Sequence, residues 1–406
     1  MRSLLTGLMI AVGTVSGSAA TFTSVYSFTG QSGDGASPFA AITVGPGGVL
    51  YGTTGYGGIF GAGTVYQLTP NGGGWTEAVL YSFTGGADGA YPQSGVILGP
   101  GGVLYGTTSA GGSAGMGTVY QLTPGAGGAW TETVLHSFSG SDGGYPYATP
   151  TLASSGALYG STELGGAMGY GAVFALMPPT APGGAWTETL LYNFAGGADG
   201  SFPYAGLAVD SKGNLYGTTI FGGASQKGTV FKLTPPTKAG KPWTETLLHS
   251  FTGSDGAFPF AGLIIGPSGA LFGTTTGGVT AGYGTAFMLT PPTSGGAWTQ
   301  TILRAFTPGP KGTSPHAALT AGPSGTLLGT DLASGSAPSF AGYGVVFQLT
   351  PAGGGIWNET VLYTFQGGSD GGDPDAALVA GPGGTYYGAT MRGGNSGLGT
   401  VFAVTP

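Results

Sequence analysis

The chain has 406 residues and a formal charge of −7, with 6% charged residues, 89 Gly, 28 Pro and no Cys. So few cations cannot track a phosphate backbone, which excludes a nucleic-acid partner, and the missing thiols exclude disulfides and Cys-based metal or redox chemistry. Gly and Pro at this level usually signal disorder, but 40% hydrophobic and 12% aromatic residues suffice for a packed core, so short strands joined by tight turns are expected and long helices are not.

In chain order, residues 1–20 read as a secretory signal. Arg2 gives a basic start, Leu4 to Val12 an apolar run, and Ser18, Ala19 and Ala20 the small residues a signal peptidase needs. That run is too short to cross a bilayer, and no later segment is long and apolar enough to do so. An exported monomer is expected, extracellular, on the cell surface or periplasmic, with residues 21–406 as one domain.

From Thr21 onward one unit of about 55 residues recurs. VYSF (25–28) returns as VLYSF, VLHSF, LLYNF, LLHSF, ILRAF and VLYTF, and the closing Phe residues, from Phe28 to Phe365, lie 55 to 59 apart. Two further markers, LYGTT (50–54) and GTVYQLTP (63–70), each occur seven times in related forms. The second unit contains four strand-like runs, SGVILG (94–99), VLYGTT (103–108), GTVYQLTP (117–124) and WTETVLHSF (130–138), rich in β-branched and aromatic residues. Gly99-Pro100-Gly101-Gly102 between the first two is the composition of a type II turn. Four strands per repeat, radially arranged, describe an all-β, seven-bladed β-propeller. The chain opens on a lone fourth strand and finishes on a third, so residues 22–28 are expected to complete the blade of 374–406 and to remove the open edges.

Segments such as 79–124, from VLYSFTGGADG to GTVYQLTP, resemble the GloVer repeats of bacterial choice-of-anchor tandem-repeat proteins, over essentially all of 22–406. The resemblance implies an exported bacterial propeller-like protein. It brings no established activity and no catalytic residues.

Positions shared by nearly all copies read as blade architecture, and departures mark candidate sites. Asp34, Asp88, Asp142, Asp199, Asp255 and Asp370 each precede Gly, which is turn chemistry. Glu77, Glu132, Glu188, Glu245 and Glu359 follow Trp by two and read as surface residues of the outer strands, and the six Trp residues read as packing at the blade rim. His136 and His249 read as ordinary strand residues in the place of Tyr81 and Tyr192.

Before each inner strand the copies read SPFA, YPQS, YPYA, FPYA, FPFA, SPHA and DPDA. Tyr91, Tyr145, Tyr147, Phe202, Tyr204, Phe258 and Phe260 are therefore expected around one arc of the channel mouth, with Arg392 nearby, as ligand-binding candidates suited to sugar rings. Alternation across the Pro lets one member of each pair face the channel. The last two blades place His316 near Asp373 and Asp375, a candidate general base with its carboxylate. Asp370, Asp373 and Asp375 are the one candidate set for a cation such as Ca²⁺. No other cofactor is implied. Two functions compete: a binding or scaffold propeller recognising a glycan or extracellular protein on its loop face, or a polysaccharide-degrading lyase or hydrolase.

Overall fold

The computed structural model describes residues 19–406 except 182, 239, 280–281, 308 and 334–341. Apart from Ala19 and Ala20, the expected signal segment lies outside the described residues. Seven four-stranded antiparallel sheets stand around one axis, and no α-helix occurs among the described residues. The protein is a seven-bladed β-propeller. We number the blades 1 to 7 by their inner strands and letter the strands a to d from axis to rim. Blade 2 shows the pattern, with strands Ile97–Leu98, Leu104–Thr108, Thr118–Pro124 and Trp130–Ser137.

Closure follows the expected permutation. Val379–Ala380, Tyr386–Thr390 and Thr400–Thr405 form strands a to c of blade 7, and Thr21–Ser27 supplies its strand d. The pairing runs antiparallel from Thr21 opposite Thr405 to Ser27 opposite Thr400.

The a strands are shorter than the sequence suggests, two residues each. Blades crowd at the axis: a Cβ on Gly95 would lie 2.7 Å from the Ala41 carbonyl oxygen of blade 1. The segment before each a strand therefore bonds to neighbouring loops rather than to a strand. The turn after it behaves as its composition demands, with Gly101 at φ +72° and ψ +11°, the left-handed conformation of a type II turn.

Apolar burial is distributed between blades, since each sheet is covered on both faces. One cluster joins Val65 of blade 1 to Leu104, Tyr120 and Leu122 of blade 2 through Phe83, and a comparable cluster fills each of the seven junctions. The repeated Phe of strand d is the hub. Phe83 meets Tyr120 at 5.0 Å and Phe194 meets Phe231 at 5.1 Å, edge to face, the arrangement aromatic quadrupoles favour. Strand-b hydroxyls tie the same junctions nearer the axis: Thr53 donates to the Ser94 carbonyl at 2.7 Å and Thr218 to the Ala261 carbonyl at 2.9 Å. Each Trp also packs across a junction, Trp75 against Tyr387 at 5.9 Å and Trp243 against Tyr159 at 6.0 Å.

Candidate functional site

Loops leaving strands b and d emerge on one face of the ring, and the residue–Pro–residue segments bring that face to the channel. The residue before the Pro is a staple between blades. Tyr91 donates its N–H to Ala62 O at 2.8 Å in the preceding blade's loop, and its carbonyl accepts Ser109 N–H at 3.1 Å in its own. The same pair of bonds holds Tyr145, Phe202, Phe258 and Asp373. All five adopt φ between +54° and +59°, costly for bulky residues and kept only where the surroundings dictate it.

Across the buried Pro the second residue turns to the axis. Phe39, Gln93, Tyr147, Tyr204, Phe260, His316 and Asp375, one from each blade, line a cavity of about 160 Å³, backed by small residues such as Ala148 and Ala376. Contacts run from blade to blade. Tyr147 stacks on Tyr204 at 4.8 Å, Tyr204 meets Phe260 edge-on at 5.7 Å, and Phe260 stacks on His316 at 4.4 Å. His316 Nδ1 then lies 2.9 Å from Asp375 Oδ1, a buried oxygen with no other partner among the described residues. Burial raises the Tyr204 hydroxyl pKa, and the charges of Asp375 and Glu163 add to it.

The other candidates form an upper tier. Tyr91 lies 5.4 Å from Tyr56, Phe202 lies 5.9 Å from Tyr170 and 6.0 Å from Phe221, and Phe258 sits 5.3 Å from Phe221 under the Lys227 ammonium. Asp373 pairs with the exposed Arg392 at 3.3 Å. Its carboxyl is pushed up by burial, with Arg392 opposing and Asp375 adding. Asp370 is held apart from both by turn bonds, accepting Tyr363 Oη–H at 3.0 Å and the N–H groups of Gln366 and Gly368. No group of three or more His, Asp or Glu side chains comes together among the described residues. Sequence reasoning missed Phe39 and Gln93, although SPFA and YPQS place them in register with the other five. It also missed Tyr56 and Phe221, each the second residue after the LYGTT of its repeat.

The shared acidic residues build the rim. Asp88 accepts Tyr81 Oη–H at 3.0 Å and the Thr84 N–H at 2.8 Å, and these bonds draw its pKa down against the opposing effect of burial. His136 and His249 take the Tyr role, reaching Asp142 and Asp255 at 2.9 and 3.0 Å. The Glu residues are half-buried rather than free on the surface. Glu77, Glu132, Glu188 and Glu245 each have one buried carboxylate oxygen without a partner, and burial, then the Asp of the preceding junction, pushes each up to about 7. Between blades 5 and 6 the pattern is recast: Lys311 replaces the turn Asp, Arg304 replaces Tyr, and Arg304 Nη2 pairs with Glu359 at 2.7 Å. Asp331, fully buried, takes over the turn by accepting Ser314 N–H at 2.7 Å, and its desolvation raises it to about 7.

None of the curated proteins compared with the chain matches it. Similar solved structures include a Thermus thermophilus protein described as an oxidoreductase (glucose dehydrogenase), 15% identical, covering 95% of this chain and 100% of its own, with a TM-score of 0.47. A Dyadobacter fermentans protein of unknown function is 13% identical, covering 94% and 98%, with a TM-score of 0.45. A glucose dehydrogenase is 16% identical, covering 77% and 95%, with a TM-score of 0.43. The Gloeobacter/Verrucomicrobia repeat matches residues 11–174 and 95–340, most of the sequence. With seven blades cut from that one repeat, the chain belongs to the Gloeobacter/Verrucomicrobia repeat family.

Proposed function

We propose that the chain is an exported binding propeller whose loop face recognises a glycan or an extracellular protein, with glycan the class its chemistry suits better. One observation carries this reading. Of the large apolar side chains exposed among the described residues, all but Met177, Leu247 and Ile356 stand on the loop face, among them Tyr56, Phe60, Tyr91, Tyr170, Phe221 and Tyr343. Exposed apolar groups gathered on one side of a soluble domain mark an interaction surface. Aromatic rings on glycine-rich loops, bearing few charges, match the weakly polar faces of sugars.

A glycan array probed with residues 21–406 tests the reading. Retention is expected, and Tyr56→Ala with Phe221→Ala should abolish it while melting stays cooperative. Retention unchanged by that pair overturns the loop face as the site. A second reading, a polysaccharide lyase or hydrolase, is favoured by the 2.9 Å His316–Asp375 contact, the reach a general base needs to be oriented. It requires product release from the same array, lost in His316→Ala.

A further inference from the structure

The channel ring differs from the face above it in what it leaves unpaired. Gln93, Tyr147, Tyr204, His316 and Asp375 all border the axial cavity, and apart from the His316–Asp375 contact none has a side-chain hydrogen-bond partner among the described residues. Polar tips brought together without partners are completed by what enters between them. Three ligand classes are excluded by the surroundings. An ammonium group needs an open ring face, but Tyr147 and Tyr204 each give one face to the other, as do Phe260 and His316. An anion would meet Asp375, with Glu163 nearby and no Lys or Arg in the ring, since Arg392 is tied to Asp373 in the tier above. A chain of sugars lying across the mouth would need more room, because about 160 Å³ is below the roughly 300–1,000 Å³ of pockets that enclose larger ligands.

What remains is small, neutral and able both to donate and to accept at closely spaced points. The Gln93 amide and two phenols supply donors, while the Gln93 carbonyl and the Asp375 carboxylate supply acceptors, and the His316 ring offers a further polar edge. Vicinal hydroxyl groups answer that set. We propose that the channel ring is a receptor for a single neutral sugar unit, either a free monosaccharide or the terminal residue of a glycan entering end-on. This rests on the glycan reading above and assigns it a second, deeper subsite.

The test uses calorimetry and saturation-transfer NMR on residues 21–406. The probes are D-glucose, D-galactose, D-mannose and N-acetyl-D-glucosamine, with homotetrasaccharides of each carrying a free or a methyl-blocked non-reducing end. At least one hexose should bind. Asp375→Asn should weaken it about tenfold or more, as loss of a hydrogen bond to a charged group does. Gln93→Ala should weaken it by a smaller factor, and Ile356→Ala, away from the loop face, should leave it unchanged. On the unmodified protein, saturation should spread over every ring proton of an enclosed unit, so saturation confined to one edge overturns the proposal whatever the variants do. A tetrasaccharide that binds only with its end free identifies a glycan terminus, and binding by free hexoses alone identifies a monosaccharide ligand. No hexose binding, with tetrasaccharides held in a Phe221-dependent way, overturns the channel receptor and leaves the loop-face reading standing. Binding of neither class overturns both.

Discussion

Ser268 and Ser324 occupy the turn position that Gly47, Gly101 and Gly383 fill in blades 1, 2 and 7, and they do so at φ +58° and +56°. An L-residue in this conformation is strained by about 1–2 kcal/mol, and glycine's greater chain entropy offsets part of the relief. Ser268→Gly and Ser324→Gly should each stabilise the fold by about 0.5 kcal/mol, read as a higher urea midpoint at an unchanged slope. These turns are legible from sequence because Pro-Gly chemistry is local. The staple residues are the opposite case. Tyr91 precedes a Pro and is bulky, and both facts argue for extended backbone. Its positive φ is imposed by the Ala62 carbonyl and the Ser109 amide, on loops of two adjacent blades that meet only once the blades pack. The alternation that sends Tyr147 inward and Tyr145 outward was readable from the spacing across Pro. The placement of His316 near Asp375 was readable from SPHA and DPDA in neighbouring repeats, but its stacking on Phe260 was not, because that depends on the distance between adjacent blades at the axis.

At four of the seven junctions, neighbouring d strands meet through a repeated trio: Tyr or His from one blade, the turn Asp, and Glu from the next. Glu77, Glu132, Glu188 and Glu245 are pushed up to about 7 in the folded chain, against about 4.3 when unfolded. Between these values the folded state binds more protons than the unfolded one, so stability is fully present below about pH 4.3 and declines as pH rises through about 7. Turn carboxylates such as Asp88 and Asp142, held low, oppose this only at the acid end. The melting temperature should therefore fall from pH 5 to pH 8. Glu77→Gln, Glu132→Gln, Glu188→Gln and Glu245→Gln combined should flatten that slope, and an unchanged slope would remove these seams as its source. The chain already holds the neutral version: Gln300, in the same position, donates to the Asp255 carbonyl at 2.9 Å. Repetition made these glutamates conspicuous in the sequence. Their burial was hidden, since the cover comes from a different repeat.

At the scale of the ring, one junction has neither glutamate nor glutamine at this position. Where blade 6 meets blade 7 the position falls to Phe22, which stacks on Tyr363 at 3.7 Å with planes 7° apart and reaches Phe365 and Phe402. Phe22→Ala should cost about 2 kcal/mol, less than the 3–5 of a fully buried Phe because this ring is only partly covered. Calorimetry should show a lowered midpoint without loss of secondary structure, and no change would mean that hydrogen bonds alone hold the closing strand. The repeat count and the permuted ends made seven blades and their closure legible before any coordinates. The different chemistry of the closing seam was not, because VYSF matches its siblings while the unmatched residues lie just before it.

The direction of that last pairing also sets how the ring yields to force. Thr21 sits opposite Thr405, so tension applied at the two ends of this pair pulls across the ladder and not along it. Such loading peels the hydrogen bonds one after another instead of shearing them together. A ring tethered by one of these ends would keep its blades out of the line of tension. A ring pulled by both would open at a single place and then unroll blade by blade.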